Sequence, residues 1–257
     1  MRTLIAAALL GAGATTLGAQ SLASRVNQAD GAVQVIYPSR PAVCGDGTTF
    51  ISNVLGHSRY FTNGSVYSTR ARHLDSRCEH GPARVVATIV SGAPTRLRAY
   101  VGPVPSSSTR TITASAAEAR AWLEQLAMNG SARLSEDAVL PLVLADSTDP
   151  WPTLLHVARD VERPQSLRRN ALMWVSAGVN QHLGIDDATA DTDDDQLRKQ
   201  AVFVLSQRAR RDGTAELVDL ARNSKRPAVR RDAIFWLSQT GEIEPVAALY
   251  AELLGER

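Results

Sequence analysis

A ten-residue segment occurs three times in the C-terminal half of this 257-residue chain, and this repeat restricts the possible folds more than any other feature. The copies begin at Leu167, Leu197 and Val229, which are 30 and 32 residues apart. Each copy consists of an apolar residue, two basic residues, a polar residue, Ala, four apolar residues and Ser. A fixed period of about 20–50 residues is typical of proteins in which similar supersecondary units stack on one another. We therefore predict a stack of helical units in this half.

A second amphipathic helix is predicted in front of two of the copies, at residues 153–160 and 215–223. Both segments end in Ala-Arg followed by Asp or Asn, and a proline (Pro164 or Pro227) comes next. Proline fits the first turn of a helix but not its middle. One unit is therefore predicted as a helix, a proline-containing turn and a second helix. Residues 245–254 form a further helix of the first kind, which we expect to cap the stack.

The stretch at residues 181–195 interrupts the pattern, because it is polar and acidic where a first helix is expected. Asp191, Asp193 and Asp195 alternate as the ligands of a calcium loop do. The Gly and Glu that an EF-hand loop requires at its sixth and twelfth positions are absent. We predict a solvated loop here, and we predict no metal and no cofactor for the chain.

The repeated segments resemble those of HEAT-repeat proteins, and within that class they are most similar to exported bacterial HEAT-repeat proteins. The similarity rests on residues 229–239, on residues 138–147, and on Trp151 with the residues up to Asp160. It covers about half of the chain. The resemblance implies an α-helical solenoid and a role in binding or scaffolding other proteins.

The first twenty residues differ from the rest and indicate a secretory signal peptide. Arg2 supplies positive charge, residues 4–10 are an unbroken apolar run, and small residues continue to Gln20. This is the order of regions in a signal peptide, and the run is shorter than the roughly 20 residues that a membrane span needs. We predict export to the periplasm or the medium, with cleavage after Ala19 or Gln20.

Residues 21–112 carry signals of β-structure. Residues 33–37, 84–90 and 95–101 are rich in β-branched and aromatic residues, and Ser-Gly-Ala-Pro separates the last two segments, which predicts a hairpin. The only two cysteines, Cys44 and Cys78, lie in turn-rich stretches between the strands. In an oxidising compartment we expect them to form a disulfide. The alternative is that both cysteines are free thiols.

These observations predict an α+β protein, in which a small antiparallel β unit precedes a HEAT-like solenoid. The predicted divisions are a signal peptide at residues 1–20, a disulfide-clipped β-rich domain at 21–112 and a helical repeat domain at 113–257. Ser115 and Glu118 have the spacing of a capping box, which predicts that a helix starts at Ala116.

Two kinds of side chain recur within the repeats and are candidates for contact with a partner. The paired basic residues and the following tryptophans are Arg168, Arg169, Arg198, Lys199, Arg230, Arg231, Trp174 and Trp236. For the basic pairs we favour the structural alternative, in which they neutralise Asp and Glu of neighbouring units. The aromatic positions, with Met173, Phe203 and Phe235, are expected to lie mainly in the core, and any that are exposed would anchor a partner.

The function that we predict is protein or peptide binding in the cell envelope, without catalysis. The formal net charge of +2 is too small to indicate a nucleic-acid partner. The main alternative is an enzyme or enzyme subunit with its chemistry in the β unit, around His73, Cys78 and His80. A further alternative is a purely structural envelope protein.

Overall fold

The structure, a computed structural model, describes residues 20–41, 43–48, 50–54, 57–62, 65–67, 79–185, 202–203, 205–206 and 213–256. Several sequence predictions lie outside these residues. They are the signal peptide up to residue 19, His73, Cys78, the acidic loop from residue 186, Arg198 and Lys199.

The described part of the chain is a mixed α and β protein. Its helices are α1 (Leu22–Asn27), α2 (Ala116–Asn129), α3 (Ala132–Leu144), α4 (Trp151–Arg159), α5 (Gln165–His182), α6 (Gly213–Asn223), α7 (Pro227–Leu237) and α8 (Ile243–Leu253). Its strands are β1 (Gly31–Tyr37), β2 (Phe50–Val54), β3 (His57–Thr62), β4 (Ser65–Tyr67), β5 (Ala83–Val90), β6 (Ala93–Val101) and β7 (Arg110–Thr113). The predicted capping box of Ser115 and Glu118 is present at the start of α2.

Four of the strands form a sheet in the order β6-β5-β1-β7. β5 pairs antiparallel with both β1 and β6, so the predicted hairpin is confirmed. Its two-residue connection, Ser91 and Gly92, has φ angles of 53° and 74°, the positive values that the tightest hairpin turns require. A separate antiparallel sheet has the order β2-β3-β4.

The fourth strand corrects the prediction of a purely antiparallel unit. β7 pairs with β1 in parallel, with Val33 opposite Arg110 and Ile36 opposite Thr113. The residues just before β7 are rich in Pro and Ser and indicate a linker, and four residues are too short a pattern to reveal a strand. The sheet is therefore mixed, and β7 leads directly into α2.

Alternate residues of the sheet face one apolar core. Val33 lies opposite Ala87, which lies opposite Leu97 in β6, and all three side chains are buried. This is the two-residue alternation of a strand with one covered face. α3 packs against β5 and β6, and α2 packs against β1, so these two helices cover that face.

The core continues without a break from the sheet into the helices. Buried Tyr37 donates its hydroxyl to the carbonyl of Pro141 at 2.7 Å, and burial raises the pKa of this phenol. Asp137 accepts hydrogen bonds from the backbone N–H of Leu97 at 3.1 Å and from Nε of Arg96 at 2.8 Å. The first of these bonds satisfies the backbone N–H of Leu97 in the edge strand β6. The border predicted between residues 112 and 113 thus crosses a shared core, and the division into two domains stays a prediction.

Two helix pairs have the predicted order of helix, proline turn and helix. α4 packs against α5, and α6 packs against α7. Pro164 directly precedes α5, and Pro227 is the first residue of α7. The last helix differs from the expected cap, because α8 packs against α4 and α5. Among the helices that the structure describes, none combines the length and the apolar character required to cross a bilayer.

Candidate functional site

Arg168 and Arg230 occupy the same position in two copies of the repeated segment, the first residue of the basic pair, and they make the same kind of hydrogen bond. Arg168 donates from Nε to the carbonyl of Ala158 at 2.8 Å, and Arg230 donates from Nε to the carbonyl of Ala221 at 3.2 Å. Both acceptors lie in the last turn of the preceding helix, where carbonyls lack intrahelical donors and arginine is favoured. Arg168 and Arg230, which were candidates for partner binding, therefore link the two helices of their units.

The basic residues of the repeats differ in how far they are buried. Arg168 and Arg231 are each only 8% exposed, whereas Arg169 is exposed. Arg168 also pairs with Glu244 of α8 at 2.5 Å, and this hydrogen bond lowers the pKa of the glutamate. Arg231 lies 3.4 Å from Asp232. The described basic residues thus do not form one continuous exposed ladder, which supports the structural alternative.

Replacing Arg168 with alanine is expected to lower the free energy of unfolding by about 2 kcal/mol, because the Ala158 carbonyl and Glu244 both lose a donor. The measurement is the urea midpoint of the full chain. Arg169→Ala is the matched control, since it removes the same side chain from the next, exposed position, and we expect a change within about 0.5 kcal/mol. Equal losses for the two variants would contradict the structural assignment of Arg168.

The two candidate tryptophans differ in their surroundings. Trp174 is 3% exposed and belongs to the core. Trp236 is half-buried, with its ring centroid 5.0 Å from that of Phe203 and 5.2 Å from that of Phe235. Phe203 is 44% exposed. We refer to Phe203, Phe235 and Trp236 as the aromatic cluster.

A second repeated hydrogen bond supports the backbone of this cluster. The hydroxyls of Ser176, Ser206 and Ser238 each donate to the carbonyl three residues earlier, at 2.6, 2.6 and 2.7 Å. Those carbonyls belong to Met173, Phe203 and Phe235, which share one position in the three copies. The sequence analysis expected this position to lie mainly in the core, and Phe203 differs because its exposure depends on packing that the local sequence does not specify.

The turn that contains Cys44 is held by backbone hydrogen bonds to two other loops. Gly45 and Glu79 exchange N–H to carbonyl bonds of 3.0 Å in both directions, and Gly47 donates to the carbonyl of Val101 at 2.9 Å. Cys44 is buried. Glu79 directly follows Cys78 in the chain, but Cys78 itself lies outside the described residues. The disulfide between the two cysteines therefore stays a prediction.

A shallow cleft of about 460 Å³ lies between the loop at residues 38–43 and the loop at residues 80–82. Its lining residues are Pro38, Ser39, Arg40, Pro41, Val43, His80, Gly81 and Pro82. Arg40 donates to the carbonyls of Val143 at 2.7 Å and Thr148 at 2.6 Å, and burial lowers the pKa of its guanidinium. Its guanidinium also lies 5.5 Å from the centre of the Trp151 ring. Arg40 thus joins the β unit to α4.

His80 is the one residue of the alternative catalytic group that the structure describes, since His73 and Cys78 lie outside those ranges. Its Nδ1 is 3.1 Å from the carbonyl of Val43, so that nitrogen carries a proton when it donates there. Within the described ranges, no three His, Cys, Asp or Glu side chains are grouped so that they could hold a metal ion.

Comparison with known proteins identifies no relative. No protein-family model matches the chain, and neither does any curated protein or solved structure. The resemblance to exported HEAT-repeat proteins therefore rests on the sequence segments named above alone.

Proposed function

We propose that this protein is an exported interaction module that binds a protein or peptide partner through the aromatic cluster. The observation that carries the proposal is the position of Phe203, whose side chain is 44% exposed and lies against Trp236. Exposed aromatic side chains with a supported base are the usual centres of protein interfaces, because they bury a large area with few rotatable bonds.

The rest of the cluster provides a rigid base for such a contact. Phe235 and Trp236 are half-buried, and Arg230 ties their helix to the carbonyl of Ala221 in α6. A partner side chain that covers Phe203 would also come close to the Trp236 ring, whose centroid lies 5.0 Å from that of Phe203. The partner we propose contributes apolar or aromatic side chains.

The HEAT-like architecture and the location belong to the same proposal. Similar bonds made by Arg168 and Arg230, and by three serines, support related helix units. The charged, apolar and small-residue order of residues 1–20 supports export to the periplasm or the medium.

Site-specific photo-crosslinking tests the proposal in the native compartment. A photoreactive phenylalanine analogue at position 203 is expected to give one discrete adduct with another protein. The matched control carries the analogue at Val161, which is 66% exposed in the turn between α4 and α5. We expect no adduct from that position. Failure to crosslink from position 203, or the same adducts from both positions, would overturn the proposed binding site.

A further inference from the structure

The C-terminal helix α8 does not lie where a regular stack would place it. In a linear array of helix pairs, a final helix packs on the last pair only. Here α8 packs against α4 and α5, the helices of the first unit. It also makes side-chain contacts with the third unit, because Arg222 of α6 pairs with Glu252 at 2.6 Å and Tyr250 donates its hydroxyl to the carbonyl of Ile234 in α7.

The contacts with the first unit are specific. Glu244 in the first turn of α8 pairs with buried Arg168 at 2.5 Å, and Arg159 of α4 donates to the carbonyl of Ala247 at 3.4 Å. Ala247 itself is fully buried. Arg159 and Arg222 have the same place in their units, the position after Ala158 or Ala221, and both reach α8.

The sequences of α8 and of the residues that follow α5 are consistent with the packing of α8 on the first unit. Beyond α5, the sequence of residues 186–195 is acidic, and its only apolar residues are Ala188 and Ala190. α8 has the sequence of a first helix, with an apolar face that includes Ile243, Val246, Ala247 and Tyr250, all buried.

We propose that α8 is a clasp, which packs on the first helix pair, bonds to side chain and backbone of the third pair, and so holds these two pairs together. Because α5 also packs directly against α7, the clasp reinforces a contact that the first and third pairs already make. This inference does not depend on the proposed binding function, since it concerns only contacts inside the chain.

Hydrogen exchange of the full chain tests the clasp. Ala247→Asp places a carboxylate in the buried contact, and the matched variant Ala248→Asp places the same group at the adjacent exposed position. We expect Ala247→Asp to speed the exchange of amides in α4 and α5 at least tenfold, while β5 keeps its protection. Ala248→Asp is expected to leave all these rates within twofold of the unchanged chain.

If Ala247→Asp also speeds amide exchange in β5, the whole chain has lost its fold. The variant Glu244→Gln then provides the test of the clasp. That milder change is expected to speed exchange about threefold around Arg168, in α4 and α5. Faster exchange confined to α6, α7 and α8 in either variant would overturn the clasp, because α8 would then only cap the third unit. Equal effects of Ala247→Asp and Ala248→Asp would also overturn it.

Discussion

Replacing Gly178 with alanine is expected to lower the free energy of unfolding by about 2–3 kcal/mol, although alanine is the better helix former by about 1 kcal/mol. Gly178 lies in α5 directly beneath the Trp151 ring, and a Cβ at this position would overlap ring atoms Cδ2 and Cε2. The ring cannot move away freely, because Trp151 is 8% exposed and Arg40 lies over it. The measurement is urea unfolding followed by circular dichroism.

Two further variants test the cause of this loss. Gln181→Ala, at an exposed position of the same helix, is expected to change the free energy of unfolding by less than about 0.5 kcal/mol. Trp151→Leu removes the ring, so the cost of Gly178→Ala measured in that background should fall by at least half. A loss of the same size with and without the Trp151 ring would contradict the steric explanation.

Gly47→Ala is expected to be the second large effect, with a loss of about 3 kcal/mol or more. Two causes add at this position. The φ angle is +76°, which costs an L-residue about 1–2 kcal/mol, and a Cβ there would lie on the carbonyl oxygen of Pro103. The second cause is the more serious, because the obstacle is backbone and cannot rotate away. The measurement is again the free energy of unfolding.

Gly31→Ala separates the two causes. Gly31 has a φ angle of +74°, but a Cβ added to it would have nothing within 4 Å, so this position experiences the backbone strain alone. We expect a loss of about 1 kcal/mol for this variant. If Gly31→Ala and Gly47→Ala were equally destabilising, the close approach of the loops at residues 45–47 and 102–103 would not be present.

Local patterns predicted the secondary structure well. The repeat and its prolines located the pairs α4–α5 and α6–α7, and the β-branched segments located β1 and the β5–β6 hairpin. The spacing of Ser115 and Glu118 located the start of α2. Each of these features depends on residues only a few positions apart, whose preferences act before any long-range contact forms.

The parts that escaped prediction depend on contacts between distant residues. β7 is a strand only because β1 lies beside it, and the position of α8 is decided by the surface of α4 and α5, which lie far from it in the chain. Arg168 and Arg169 have the same chemistry, yet adjacent residues on a helix point about 100° apart, so one is buried and the other exposed.

The central claim is that the aromatic cluster binds a partner. The most direct test measures the affinity of this chain for the partner protein that the photo-crosslink at position 203 identifies. Calorimetry would compare the unchanged chain with Phe203→Ser and Val161→Ser, each of which removes an exposed apolar side chain. We predict that Phe203→Ser weakens binding at least tenfold, or about 1.4 kcal/mol, and that Val161→Ser changes it less than twofold. Equal affinities for all three chains would contradict the account.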